Sequence, residues 1–216
     1  MKTLLFIGFF AAALSSCTKE RLTANGNKIT DIRTPGTFDG VSSSGSNTVY
    51  ITRGQEFHVE LRGSSNLLSS FETKVRGNTL ELGYKNASVS DDDIEVYITM
   101  PEVQFLALTG SGEMSVRGDF PAQEKFSLRI SGSGDIDFQG TLEVKNADID
   151  LSGSGRAELE NLRTENADVD ISGSGNVKLT VSDHLRARIS GSGHVYYRGN
   201  PELDSRVTGS GKVVKF

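Results

Sequence analysis

NADIDLSGSG, residues 146–155, is followed twenty residues later by NADVDISGSG, residues 166–175. The shared Gly-Ser-Gly triplet recurs at 110–112, 132–134, 153–155, 173–175, 191–193 and 209–211, with spacings of 22, 21, 20, 18 and 18 residues. A period near 20 is the mark of a solenoid, in which each repeat covers the apolar face of the one before. The flanks repeat as well. Two residues before each triplet stand Leu108, Ile130, Leu151, Ile171, Ile189 and Val207; two residues after stand Met114, Ile136, Ala157, Val177, Val195 and Val213. Four residues after stand Val116, Phe138, Leu159, Leu179, Tyr197 and finally Lys215. Polar residues fill the alternate positions, so period-two patterning runs into and out of a glycine corner.

This pattern predicts an all-β solenoid over residues 105–216. Each coil of about 20 residues would supply a strand, a tight corner and a second strand. Glycine suits the corner because it adopts positive φ and lets backbones approach closely. The middle serine is expected to bond backbone groups or its equivalents in adjacent coils. Parallel coils are the first expectation and an antiparallel meander of the same period the second. The last triplet lies five residues from Phe216, so the final coil should form an edge, with Lys212 and Lys215 discouraging end-to-end pairing there.

Working outward, residues 29–104 lack the triplet but read as a β-rich hairpin module. FDGVSSSGSNTVYIT contains Ser44-Gly45-Ser46, a degenerate first corner. GQEFHVELRG alternates as a strand, and FETKVRGNTLELGY reads as a hairpin turning at Gly77-Asn78. IEVYITMP is a further strand ended by Pro101. Ser65 to Ser70 reads as a short helical turn, and the stretch from Tyr84 to Ile94, with Asp91-Asp92-Asp93, as a surface loop.

The first residues address the compartment. One lysine, Lys2, precedes an apolar run from Leu4 to Leu14, shorter than the ~20 residues of a membrane-crossing helix. Leu14-Ser15-Ser16-Cys17 resembles the lipobox of bacterial lipoproteins: an aliphatic residue, two small residues, then cysteine. That resemblance implies a signal peptide over residues 1–16, lipidation of the Cys17 thiol, and a membrane anchor. In enteric bacteria Thr18, rather than Asp, would favour the outer membrane. Cys17 is the only cysteine, so no internal disulfide is expected. Residues 17–28 read as a lipidated, flexible tether.

Removing residues 1–16 takes one lysine from a chain of net charge −5, leaving −6. An acidic chain without a basic block argues against nucleic acid as a partner. Glycine, at 24 residues against 4 prolines, indicates many turns rather than disorder, because Val, Ile, Leu and Phe recur in order.

FDGV, SNTVYITRG, FHVELRG, SNLLSSFETKVRGNTLELGY and IEVYITMPEVQFLALTGSG, followed by SGSG coils, together resemble the head GIN domain family. These are auto-transporter adhesin head domains of exported bacterial lipoproteins. The resemblance spans residues 29–216 as a single domain. It implies a right-handed β-helix-like fold and an adhesin-like role, and it brings no catalytic motif to any residue.

No catalytic residue and no cofactor site is expected. His58, His184 and His194 do not share ligand spacing. The corner serines are too regular to be nucleophiles, and no helix pattern follows Gly191 to make a phosphate loop. One constellation carries candidate metal ligands. Asp148 and Asp168 stand five residues before a triplet, and Asp150 and Asp170 three before. Stacked in register, the pairs would lie ~4.8 Å apart, a spacing at which oxygen ligands can hold calcium. The column also reads Arg129, Asp150, Asp170, Arg188, Arg206, so a solvated charge ladder accounts for the acids without a metal.

Three functions fit these observations. The first is a lipid-anchored, non-catalytic surface module that binds glycan or protein. The second is a polysaccharide-binding or polysaccharide-degrading β-helix. The third is a structural partner facing the periplasm.

Overall fold

The computed structural model describes residues 20–85 and 87–216. The signal peptide expected over residues 1–16 and the expected lipidation site Cys17 lie outside them. The amino-terminal module runs β1 (Glu20–Thr23), β2 (Lys28–Arg33), β3 (Gly40–Gly45), β4 (Thr48–Arg53) and β5 (His58–Ser64). The four-residue helix α1 (Ser65–Leu68) follows, then β6 (Phe71–Arg76), β7 (Thr79–Tyr84), β8 (Ala87–Ser90) and β9 (Glu95–Met100). The repeat supplies β10 (Phe105–Gly110), β11 (Glu113–Arg117), β12 (Gln123–Gly132), β13 (Asp135–Phe138) and β14 (Leu142–Gly153). It closes with β15 (Arg156–Gly173), β16 (Asn176–Gly191), β17 (His194–Arg198), β18 (Glu202–Gly209) and β19 (Lys212–Lys215).

The repeat is a parallel β-solenoid. Strands before the corner stack as β3, β10, β12, β14, β15, β16 and β18, with the glycines Gly45, Gly110, Gly132, Gly153, Gly173, Gly191 and Gly209 in one column. Strands after the corner stack as β4, β11, β13, β15, β16, β17 and β19. Every pairing in these two ladders is parallel, which settles the choice between coils and meander. Gly45 sits in the corner column at φ 117°, so the degenerate first corner expected at Ser44-Gly45-Ser46 is a true one.

The two glycines of a triplet do different jobs. The first has φ between 114° and 130° in all six, a region that L side chains avoid. The second has no such φ, yet a Cβ on Gly155 would strike the carbonyl oxygen of Gly134 in the coil before. The middle serine acts through its backbone: the N–H of Ser154 donates to Gly132 O at 2.8 Å and that of Ser174 to Gly153 O at 2.8 Å. Among the described residues the hydroxyls of these middle serines have no hydrogen-bond partner, so the side-chain role expected for them is not observed. The corner turns them out to water.

The apolar columns face inward. Leu108, Ile130, Leu151, Ile171 and Ile189 are buried, as are Met114, Ile136, Ala157, Val177 and Val195. Phe138 fills the axis, its ring 6.0 Å from Phe120 and 6.2 Å from Phe126. The shortening from 20 to 18 residues per coil is absorbed on the third side, where β15 and β16 slip register between Leu159 and Asn166. At the last coil the columns lose their cover. Val207 is 39% and Leu203 42% exposed.

The other end of the stack is closed. β5 runs antiparallel to β9, β2 to β5, and β6 to β7, so hairpin strands cap the first coil. Gly77 turns the β6–β7 hairpin at φ 58°, at the first of two corner positions, where type II′ turns favour glycine. Helix α1 buries Leu67 and Leu68 under this cap. Arg33 ties it by donating to the carbonyl oxygen of Leu68 at 2.8 Å and to Asp31 at 2.8 Å.

Two segments differ from expectation. Part of the stretch read as a flexible tether is paired, since β1 runs parallel to β8 from Glu20↔Ala87 to Thr23↔Ser90. The Asn66 amide then donates to Thr23 O at 2.8 Å, and the N–H of Asn25 donates to Asn66 Oδ1 at 3.1 Å. A polar segment without periodicity hides such pairing, because its partner strand is itself a four-residue stretch inside the expected loop 84–94. Among the described residues, no helix is long and apolar enough to cross a membrane.

Candidate binding surface

Parallel coils convert a sequence period into columns of identical chemistry. On the face before the corner, the outward positions form three columns. Nearest the corner stand Thr109, Ser131, Ser152, Ser172, Ser190 and Thr208. Next come Ala107, Arg129, Asp150, Asp170, Arg188 and Arg206, and then Phe105, Ser127, Asp148, Asp168, Arg186 and Asp204. Between the first two columns runs an open groove with serine hydroxyls along one wall and arginine and aspartate tips along the other. Its rungs repeat at about 4.8 Å.

The four candidate calcium ligands are brought together as their spacing implied: Asp148 pairs in register with Asp168, and Asp150 with Asp170. Three of them, Asp150, Asp168 and Asp170, turn their oxygens to arginines. Arg188 forks onto Asp170 with donor distances of 2.8 and 2.7 Å, and its second amino group lies 3.7 Å from Asp168. Arg186 forks onto Asp168, and Arg129 lies 3.5 Å from Asp150. The hydrogen bond from Arg188 holds the Asp170 carboxyl below its ordinary range, with the nearby positive charge adding to it. Among the described residues no group of three or more acids, histidines or cysteines is arranged to hold a metal. Bidentate guanidinium contacts satisfy the carboxylates and offset the repulsion between stacked acids, which is the charge-ladder reading.

Beyond these columns an asparagine rung continues the polar surface, the Asn166 amide donating to Asn146 Oδ1 at 3.2 Å. The face after the corner carries its own ion pairs, with Lys178 lying 3.3 Å from Glu158 and 3.0 Å from Glu160. At its amino-terminal end Tyr50 and Tyr97 stack at 5.0 Å, and the Arg62 guanidinium covers Tyr97 at 4.5 Å. The histidines are dispersed: His58 lies 3.6 Å from Glu60, His184 lies 3.3 Å from Glu202, and His194 stacks on Tyr196 at 5.8 Å.

One pair was not legible in the sequence. Tyr84 donates to Asp92 at 2.6 Å beneath β8, and burial pushes both the tyrosine hydroxyl and the Asp92 carboxyl upward. Neighbouring Asp93 accepts the backbone N–H and hydroxyl of Ser64, each at 2.9 Å. A run of three aspartates reads as solvated, and nothing in its own pattern shows that β1 and β8 cross nearby.

A stack of parallel coils with a largely polar exterior defines a class: a solenoid head domain that offers long, repetitive surfaces. The model of the family described as "Putative auto-transporter adhesin, head GIN domain" matches residues 37–201, and the chain belongs to that family. Among solved structures, a "putative adhesin" from Bacteroides fragilis is similar at a TM-score of 0.70 and 18% identity, covering 90% of this chain and 100% of that one. A "putative lipid binding protein" from Parabacteroides distasonis matches at 0.65 and 19%, covering 91% and 100%. A "putative adhesin" from Parabacteroides merdae matches at 0.57 and 16%, covering 91% and 99%. At these identities the likeness is one of fold. No curated protein matches the chain.

Proposed function

We propose that this chain is a cell-envelope lipoprotein, released from signal peptide 1–16 and anchored in the outer membrane by lipid on Cys17. In this reading it displays its solenoid at the cell surface as a non-catalytic, adhesin-like binding module. The observation that carries the binding role is the register of the outward columns. Serine, arginine and aspartate rungs stand one coil apart along an open groove, a repetitive polar surface that suits an extended partner such as a surface glycan or a protein strand. Arg129, Asp150, Asp170 and Arg188 there are already paired with one another and exposed, an arrangement that serves recognition rather than bond-breaking. The family's description as an adhesin head domain agrees with this reading.

Each element has its own test. Incorporation of labelled palmitate, lost in Cys17→Ser, reports the anchor. Protease shaving of intact cells removes a surface domain and spares one facing the periplasm. A glycan array and a whole-cell binding assay with the purified chain test the groove. Binding that is lost in Arg129→Glu with Arg188→Glu supports it, and absence of binding on both platforms sinks it. Turnover of a polysaccharide by the purified chain would overturn the non-catalytic assignment.

A further inference from the structure

The last coil ends the solenoid differently from the first. All eight residues of β18 are exposed, and no described strand pairs with its far side. Its inward positions continue the core columns, with Leu203 on Leu185, Ser205 on Ala187 and Val207 on Ile189. Leu203 is 42% and Val207 39% exposed. Its outward charges are also unmatched. One coil back, Arg186 and Arg188 fork onto Asp168 and Asp170, whereas among the described residues Asp204 and Arg206 take part in no ion pair, and Arg206 stacks directly on Arg188. The strand itself carries no lysine and no proline, the usual protections of an edge.

We infer that this edge is completed by a second copy of the same chain, through antiparallel pairing of β18 with β18 about a two-fold axis at Ser205. The pleat and the charges select this register. Opposed residues must share a face, so only pairings that match inward with inward survive. Centring the axis on Asp204 opposes Asp204 to itself, and centring it on Arg206 opposes Arg206 to itself; both place like charges across the strands. Centring it on Ser205 sets Asp204 against Arg206 twice and Leu203 against Val207 twice. The two-fold thus supplies each unmatched charge with its partner and each open core column with an apolar neighbour, the self-complementarity an isologous contact requires. β19 offers no such match: a two-fold on Val213 or Val214 sets a lysine against a valine, one between them sets Lys212 against Lys215, and KVVK holds no acid to pair with either.

The ladders place β18 at the end of the stack opposite the cap formed by β2, β5 and β6, and β1 packs beside that cap. Two chains joined at β18 therefore point their amino termini away from each other. If Cys17 carries the anchor, as the proposed function holds, the contact joins chains on facing surfaces, and the adhesin-like role includes binding to itself.

The test is disulfide trapping in the full chain, purified from envelopes in detergent, with the wild type controlling for Cys17. Ser205→Cys is expected to give a covalent dimer on mild oxidation, while Val214→Cys, equally on the last coil, gives none. Sedimentation should show dimer rising with concentration, weakened at least ~10-fold in Arg206→Asp or Asp204→Arg, where like charges oppose twice. The double variant Asp204→Arg with Arg206→Asp restores the pairs and should recover the dimer, which separates lost contact from lost folding. Trapping at Ser205 no faster than at Val214, or a charge swap that fails to rescue, overturns the contact. A monomer that still binds glycans or cells sinks only the self-contact, whereas a dimer on chains protected from shaving sinks only the surface display.

Discussion

The two ends of this molecule solve one problem in opposite ways. Each must stop a parallel stack whose core columns would otherwise continue. The amino-terminal end uses hairpins, a helical turn and a half-buried Tyr84–Asp92 pair, and leaves a capped core. At the coil of β18 and β19 the columns are open, with Leu203 and Val207 exposed. The corners show the same contrast. The first reads Gly45-Ser46-Asn47, and Asn47 is buried, accepting from the Ser43 hydroxyl at 2.6 Å and donating to Ser44 O at 3.1 Å. Every later corner has glycine there, because by then a coil lies directly beneath and its carbonyl occupies the space. A side chain is therefore tolerated at a corner only where no corner precedes it. Stacking, rather than turn chemistry alone, imposes the second glycine.

Substitutions at the corners would break this contrast most strongly. Gly153→Val forces a β-branched residue into φ 124° and against the carbonyl of Gly132. A loss of about 4 kcal/mol or more is expected in denaturant unfolding. Gly77→Ala, also at positive φ but in open space, should lose only about 1 kcal/mol. Comparable losses at the two sites would show that φ, and not the underlying coil, governs.

Asn47 sharpens the comparison next. Asn47→Ala strands the buried Ser43 hydroxyl and should lower stability by about 2 kcal/mol. Adding Ser43→Ala should recover part of that loss, since no orphaned polar group then remains. A double variant as unstable as the single one argues for shape rather than hydrogen bonding.

The acids of the cap and of the coils should respond oppositely to pH. Burial raises the folded pKa of Asp92, so its ionised form destabilises the cap at neutral pH, and that cost fades as pH falls towards the unfolded carboxyl pKa. Asp92→Asn keeps an oxygen acceptor for Tyr84 and should stabilise by under ~1 kcal/mol at pH 7, with the gain gone near pH ~4. Asp170 is held below its ordinary range by Arg188, so its contribution is present above the unfolded carboxyl pKa and lost as pH falls through the lower folded one. Arg188→Ala should therefore narrow the acid side of the melting-temperature profile. Its change at pH 7 should be the smallest of the set, because the pair is exposed to solvent.

The sequence alone determined the solenoid, its period, the six glycine corners and the apolar columns beside them. It also determined the hairpin at Gly77-Asn78 and the candidate columns of aspartate and arginine. These follow because a parallel stack writes its register into the chain as a repeat, and alternation assigns each residue a face. The single cysteine and the lipobox-like stretch are likewise sequence statements. Tertiary structure alone decided three things. It chose parallel coils over a meander, since both share one period and differ only in which backbone groups meet. It turned Asp150, Asp168 and Asp170 onto arginines, because side-chain direction depends on the neighbour one coil away rather than one residue away. And it paired β1 with β8 and half-buried the Tyr84–Asp92 pair, in segments too short and too polar to announce themselves. Repetition makes contacts legible when identical units meet; where unlike segments meet, at the cap, only the folded chain shows the partner.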